Sequence, residues 1–158
     1  MKLEQAVQLL VDAGVDFVII GGWSAILHGS PYMTNDLDIC YSDRRENLKR
    51  MATALAPYHP RLRALPVGLP FVWDEVTLRN GRVFTLETDL GIIDLLAEVS
   101  GVGSFQDVRA GAVETEAFGR KVWILDLPAL IKAKRAAGRK KDLELIPVLE
   151  ALLEAREG

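Results

Sequence analysis

The stretch that decides the fold is residues 21–42, GGWSAILHGSPYMTNDLDICYS. The apolar run Phe17–Ile20 leads directly into its two glycines, and this pattern is typical of a strand that ends in a tight turn. A short helix-compatible segment follows the turn. The stretch ends in two aspartates, Asp36 and Asp38, which are separated by one apolar residue.

The turn at Gly21 and Gly22 has the chemistry of an anion site. A helix that opens after glycines exposes free backbone N–H groups and carries a partial positive charge at its N-terminus. Glycine also lets a phosphate approach the backbone closely, and the Ser24 hydroxyl adds a further donor. A purely structural reading stays open, since two glycines also suit a tight strand-to-helix connection.

The two aspartates lie at positions i and i+2 of a predicted strand, so their side chains share one face. Their Cα atoms are then roughly 6.5 Å apart, and both carboxylates can reach a single cation. Magnesium prefers a few carboxylates together with water and substrate phosphates. The alternative is that both are exposed polar positions, or that Asp36 caps the preceding turn.

A third acid, Asp94, interrupts the apolar run from Gly91 to Leu96. A buried carboxylate without a partner costs several kcal/mol, so Asp94 requires a cationic partner or a metal ion. A salt bridge or a strand-end position remains the structural alternative.

The rest of the chain alternates between helical and extended patterns. Helices are predicted over residues 2–13, 22–29, from Ser42 or Asp43 to 55, 126–137 and 142–155, and strands over 16–20, 36–41, 82–87, 90–97, 112–117 and 121–125. Four prolines within residues 57–70 indicate a loop. We therefore expect one α/β (α+β) domain over residues 1–158, with a mixed central sheet over about 15–125 and a short C-terminal helical segment over about 126–155.

Composition limits the function classes. The chain has 158 residues and a net charge of −3, so nucleic-acid binding would require a local patch rather than the whole surface. No apolar run is long enough for a membrane span, and the N-terminal stretch lacks the apolar core of a signal peptide. A single cysteine, Cys40, excludes an internal disulfide. We expect a cytoplasmic protein that has no contact with a membrane.

These residues together resemble the nucleotidyltransferase superfamily, the polymerase-β-like fold. Its pattern is an apolar strand, a Gly-Gly or Gly-Ser turn, two aspartates about ten residues later, and a third carboxylate on a later strand. The segment from Lys134 to Leu143, KRAAGRKKDL, is similar to the K-x-x-A-x-R-x-K-D-L segment of minimal AbiEii-like enzymes, a group that includes toxins of type IV toxin–antitoxin systems. The resemblance covers about residues 15–153.

The resemblance implies roles for individual residues. Gly21, Gly22 and Ser24 would hold a nucleoside triphosphate, and Lys134 would neutralise charge near it. Asp36 and Asp38 would bind Mg²⁺ (or Mn²⁺), and Asp94 would be a further metal ligand or the base that helps to deprotonate the acceptor. The K-D pair of the segment corresponds to Lys141 and Asp142, which would lie at the nucleotide. The alternative is that Asp142 caps the last helix and orients Lys134.

The implied reaction transfers a nucleoside monophosphate from an NTP to a hydroxyl of RNA, for example tRNA, of a protein, or of an antibiotic. A partner antitoxin protein is a further expectation, and a non-catalytic binding module is the alternative. Six of the ten residues 132–141 are Lys or Arg, which suits either an RNA-facing patch or a solvated helix face. Trp23 suits either stacking on a base or the core.

Overall fold

The computed structural model describes residues 2–66 and 68–157. Met1 and Gly158, which end the predicted domain, and Val67, which belongs to the predicted loop over 57–70, lie outside the described residues.

The described helices and strands follow one another as predicted in outline. They are α1 (Lys2–Asp12), β1 (Phe17–Ile20), α2 (Gly21–Leu27), β2 (Asp36–Tyr41), α3 (Arg45–Leu55), β3 (Arg61–Leu62), α4 (Glu75–Arg79), β4 (Val83–Thr88), β5 (Gly91–Leu96), β6 (Glu98–Val99), β7 (Gly103–Ser104), α5 (Phe105–Ala110), β8 (Ala112–Ala117), β9 (Arg120–Leu125), α6 (Leu127–Ala137) and α7 (Lys140–Glu157).

One mixed sheet of seven strands organises these elements, in the order β3-β4-β5-β2-β1-β9-β8. β2 runs parallel to β5 and β1 runs parallel to β9, while the other neighbouring pairs are antiparallel. β6 and β7 form a separate two-stranded sheet. The predicted fold class, a mixed sheet flanked by helices, is confirmed.

The two faces of the sheet bury different helices. Alternation along β2 sends Leu37, Ile39 and Tyr41 into a cluster with residues of α1 and α3, such as Leu10 and Met51. The opposite face of β1 and β2 joins residues of α5, α6 and α7 in a second cluster, and Cys40 belongs to it. Asp36 and Asp38 share the face of Cys40, as the alternation predicts.

Sequence reasoning missed the shortest elements. The predicted loop over 57–70 contains a 3₁₀ turn (Ala56–Tyr58) and β3, which pairs with β4 at the edge of the sheet. α4 and α5 were also not predicted, because helices of one or two turns leave no readable periodicity. Their caps were legible: Asp74 accepts from the N–H of Thr77 at 2.8 Å, and Ser104 forms a capping box with Asp107.

Helix boundaries moved by one to three residues. The N-cap of α3 is Arg44, which makes no side-chain capping bond, so the predicted cap at Ser42 or Asp43 is wrong. Asp126 caps α6 as predicted, and Gly138 ends it in the left-handed conformation at φ +67°. In the described part of the chain no helix combines the length and the apolar character that crossing a membrane requires.

Candidate active site

The three acids predicted to act together do lie together. Asp38 and Asp94 are register partners on the neighbouring parallel strands β2 and β5, and Asp36 lies two residues before Asp38 on the same face. One carboxylate oxygen from each of the three lies within 4.8 Å of the other two. Two strands distant in sequence therefore bring three negative charges to one point at the sheet surface.

Two oxygens of this cluster are buried without a hydrogen-bond partner among the described residues, Oδ1 of Asp38 and Oδ1 of Asp94. Burial raises the pKa of Asp38 to about 7, and the hydrogen bond and negative charge of Asp94 and the charge of Asp36 act in the same direction. The positive charge of Lys134 opposes them. Half-buried carboxylates left unpaired in this way favour a bound cation, and oxygen ligands suit a hard ion such as Mg²⁺.

The glycine turn closes directly over this cluster. Gly21 has φ +62°, and a Cβ atom placed on it would overlap Oδ2 of Asp38. A Cβ atom on Gly22 would lie 2.9 Å from Cβ of Thr34. Neither position tolerates a side chain without rearrangement, so the two glycines allow the start of α2 to approach both the carboxylates and the loop before β2.

The hydroxyl of Ser24, which was predicted to contact a phosphate, points into the interior of the protein. Its residue is fully buried at 0% exposure, and its hydroxyl donates to the carbonyl oxygen of Leu125 at 3.0 Å. The bond joins α2 to the end of β9 in the interior. A phosphate would reach this hydroxyl only after a rearrangement, and its contact with a nucleotide stays a prediction.

The segment between α6 and α7 supplies the positive charge of the site. Asp142 is completely buried at its side chain and accepts from Nζ of Lys134 at 3.2 Å and from Nε of Arg139 at 2.6 Å. It also accepts from the backbone N–H of Arg139 at 3.3 Å, at the start of α7. Burial would raise the pKa of Asp142, but the hydrogen bonds from Arg139 and Lys134 outweigh it and the net direction is downward. Asp142 therefore fixes both cations beside the carboxylates.

A cleft of about 170 Å³ joins the two halves of the site. Its wall includes the predicted site residues Gly22, Asp36, Asp38, Lys134, Lys141 and Asp142. It also includes Tyr32, Met33 and Arg139, to which sequence reasoning gave no role. Arg139 lies inside the KRAAGRKKDL segment, so that motif held the signal. Nothing in the sequence pattern of Tyr32 and Met33 distinguished them from an ordinary loop.

Trp23 and part of the basic run over 132–141 make contacts within the protein. Trp23 is 8% exposed and packs edge-to-face on Phe118 with ring centroids 5.4 Å apart, so its core interpretation is the correct one. Within the basic run over 132–141, Lys134 and Arg139 pair with Asp142, and Arg135 pairs with Glu150 at 2.8 Å. Half of the six cations are thus engaged within the chain.

Among the comparisons with known proteins, only that with solved structures finds similar proteins. No protein-family model matches the sequence. No curated protein matches it at a significant level. Among solved structures, the lincosamide antibiotic adenylyltransferase LnuA, bound to lincomycin, superposes with a TM-score of 0.64 over 96% of both chains at 16% identity.

Two further structures are similar over most of their length. A Thermotoga maritima protein described as a nucleotidyltransferase gives a TM-score of 0.58 at 16% identity and covers 96% of this chain and 92% of its own. ANT(2")-Ia, in complex with adenylyl-2"-tobramycin, gives a TM-score of 0.54 at 14% identity over 100% of both chains. The chain therefore has the fold of nucleotidyltransferases.

Proposed function

We propose that this protein transfers a nucleoside monophosphate from an NTP to an acceptor hydroxyl and releases pyrophosphate. The observation that carries the proposal is the cluster of Asp36, Asp38 and Asp94, in which two buried carboxylate oxygens have no partner among the described residues. A glycine turn and two cations held by Asp142 adjoin this cluster, and this arrangement supports the binding of a triphosphate.

In the proposed mechanism Asp36, Asp38 and Asp94 would hold Mg²⁺ or Mn²⁺. A divalent metal ion bound there would supply Lewis-acid stabilisation of the charge that develops on the phosphoryl oxygens. The backbone N–H groups at Gly21 and Gly22, together with Lys134 and Lys141, bind the phosphates.

The transfer balances as one displacement at phosphorus. The acceptor oxygen forms a bond to the α-phosphorus, and the bond from that phosphorus to the oxygen bridging to the β-phosphate breaks, so that pyrophosphate leaves. The proton of the acceptor hydroxyl goes to a carboxylate, and we assign this role to Asp94. Asp142 acts through Lys134 and Arg139, so we assign it a positioning role.

The acceptor has an open approach across β4 and β5. Thr85 is the register partner of Asp94 on β4, and alternation places both on the same face. Thr85 is only half-buried, and Val83 on the same face of β4 is 62% exposed. An acceptor could therefore lie over these strands with its hydroxyl next to the carboxylates.

RNA or a protein is the acceptor class that we propose first, with a role as the toxin of a toxin–antitoxin pair. The similarity of residues 134–143 to AbiEii-like enzymes supports this assignment. A small-molecule acceptor is the second candidate, because LnuA and ANT(2")-Ia match the chain over nearly its whole length and carry antibiotic ligands. A non-catalytic binding module is less consistent with a complete and unpaired carboxylate cluster.

Calorimetric titration with Mg–NTP tests nucleotide binding, and the labelling assay below tests nucleotide transfer. We expect the wild-type protein to bind Mg–NTP, and Asp38→Asn to lose nucleotide transfer about 10³-fold because the metal ion loses a charged ligand. Asp43→Asn is the matched control, since Asp43 lies two residues after the end of β2 and its side chain is 69% exposed. A folded wild-type protein that binds no Mg–NTP would refute the proposed function.

A second measurement distinguishes the three candidate classes of acceptor. Incubation with Mg²⁺ and radiolabelled NTPs, together with total tRNA, a cell protein extract, or a lincosamide and an aminoglycoside, should label only one class. Loss of that label in Asp38→Asn, with retention in Asp43→Asn, assigns the transfer to this site. Labelling that persists in Asp38→Asn would argue against it.

A further inference from the structure

A recess of about 230 Å³ adjoins the carboxylate cleft. Its walls are formed by Tyr32, Lys141, Glu144 and Leu145. Tyr32, Lys141 and Leu145 also line the cleft that contains Asp36 and Asp38, so the two cavities adjoin one another. Among the residues that line the recess, the proposed function gives a role only to Lys141.

The walls of the recess have the character of a stacking site. Tyr32 lies in the loop between α2 and β2 and is 59% exposed, although it is a large aromatic residue. Leu145, on α7, offers a half-buried aliphatic side chain to the same space. An aromatic ring exposed at a cavity wall binds planar unsaturated groups, and such stacking tolerates every nucleobase.

We propose that this recess holds the base of the nucleoside triphosphate and that Glu144 selects the base; the proposal rests on the proposed function. The reacting α-phosphorus must lie at the carboxylates, and it links the leaving phosphates to the nucleoside. The nucleoside must therefore extend into a space that adjoins the cleft, and the recess adjoins it at Tyr32, Lys141 and Leu145.

Glu144 gives the recess a preference among bases. An ionised carboxylate only accepts hydrogen bonds. Adenine, cytosine and guanine each offer an exocyclic amino group as a donor, whereas the O4 and O2 acceptors of uracil flank its single N–H and repel a carboxylate. Glu144 is exposed at the wall, so its side chain is free to reach a base edge. The recess therefore favours bases with an amino group over uracil.

Affinities for the four Mg–NTPs measure this preference. In the wild-type protein we expect UTP to bind at least about fivefold more weakly than the tightest of ATP, CTP and GTP, because one good base contact has an effect of about 5- to 100-fold. Glu144→Gln should reduce this ratio toward one, since an amide also donates to O4 of uracil. Glu154→Gln, an exposed change on the same helix, should keep the wild-type ratio.

Two variants of Tyr32 test whether its ring stacks on the base. Tyr32→Ala should weaken binding of all four nucleotides about tenfold, and Tyr32→Phe should keep the wild-type affinity because the ring remains. Equal weakening by both variants would show that the ring does not stack on a base, and would overturn the proposal.

The outcomes separate this proposal from the proposed function. If no Mg–NTP binds, both proposals fail. If nucleotides bind but UTP equals the others, or Glu144→Gln leaves the ratio unchanged, only the base recess is overturned. If Tyr32→Ala raises the KM for the acceptor while NTP affinity stays unchanged, the recess belongs to the acceptor and the proposal fails.

Discussion

Asp38 and Asp142 line the same cleft but differ in burial, in hydrogen-bond partners and in the direction of their pKa shift. Asp142 has a side chain with no exposed surface and is held by Lys134 at 3.2 Å and Arg139 at 2.6 Å. Asp38 is less deeply buried, yet its Oδ1 has no hydrogen-bond partner among the described residues. The pKa of Asp142 is lowered and that of Asp38 is raised to about 7.

Both acids are removed from water, and the difference between them lies in their partners, since only Asp142 has cations at hydrogen-bond distance. A folded protein satisfies a buried charge wherever the charge serves the structure, as it does at Asp142. Leaving Asp38 and Asp94 unsatisfied costs folding free energy, and a bound cation would remove that cost. The cleft therefore has a cationic wall, in which Asp142 holds Lys134 and Arg139, and a cluster of carboxylates that could bind a cation.

The largest effect on stability should come from removing the paired acid. Asp142→Ala leaves Lys134 and the backbone N–H of Arg139 without their acceptor, and breaking a buried ion pair destabilises by about 3–5 kcal/mol. We expect this loss in urea unfolding at neutral pH. Because the folded-state pKa of Asp142 is lowered, its contribution is present above its ordinary value of 3.8 and fades as the pH falls below it.

Glu150→Ala is the matched control on the same helix. Glu150 pairs with Arg135 at 2.8 Å, but both side chains are largely exposed, so we expect a loss below about 1 kcal/mol. Equal losses in the two variants would mean that the Asp142 cluster is an ordinary surface ion pair, and the contrast with Asp38 would lose its meaning.

A smaller effect of opposite sign should appear at the unpaired acid. The folded pKa of Asp38, about 7, lies above its ordinary value of 3.8, so the folded state retains a proton that the unfolded state has lost. Its contribution to stability is therefore complete below pH 3.8 and is lost as the pH rises through 7. Asp38→Asn carries no titrating proton, and it should gain on the order of 2 kcal/mol over the wild type across this range.

Unfolding curves from pH 4 to 8 in EDTA measure the gain at Asp38→Asn. Millimolar Mg²⁺ should stabilise the wild type at pH 8 and leave Asp38→Asn nearly unchanged, since the variant lacks the charged ligand. A difference between the two proteins that stays constant with pH would contradict the raised pKa.

The main architecture was predictable because local pattern and global fold agree in it. The alternation of Leu37, Ile39 and Tyr41 against Asp36, Asp38 and Cys40 placed the acids on the correct face of β2 before any contact was known. Asp94 was identified since an acid inside an apolar run needs a reason. In contrast, α4 and α5 are too short for periodicity, and β3 is defined only by its pairing with β4.

Parts of the site depend on distances that no linear pattern contains. The bond from Ser24 to Leu125 joins residues 101 positions apart, so a hydroxyl that the local motif directs toward phosphate is used in the interior. Asp142 accepts four hydrogen bonds from Lys134 and Arg139, which agree with the interpretation that Asp142 caps the last helix and orients Lys134, but its complete burial depends on how α6 packs on α7. Tyr32 and Met33 gained interest only from their exposure beside the cleft, at 59% and 83%.

The smallest effect should come from Lys134, which is the residue common to both acids. It donates to Asp142, and its charge also lowers the pKa of Asp38. Lys134→Met keeps the aliphatic length but removes the charge, so the pKa of Asp38 should rise further, while Arg139 still pairs with Asp142 and limits the loss of stability to less than that of Asp142→Ala. An NMR titration of the Asp38 carboxyl carbon measures the change in pKa, and urea unfolding measures the loss of stability.

Lys132→Met, an exposed change on the same helix, should alter neither quantity. If the titration of Asp38 is the same in Lys134→Met and in the wild type, the cationic wall and the carboxylate cluster act independently, and Asp142 would organise a part of the fold that has no electrical influence on the acids across the cleft.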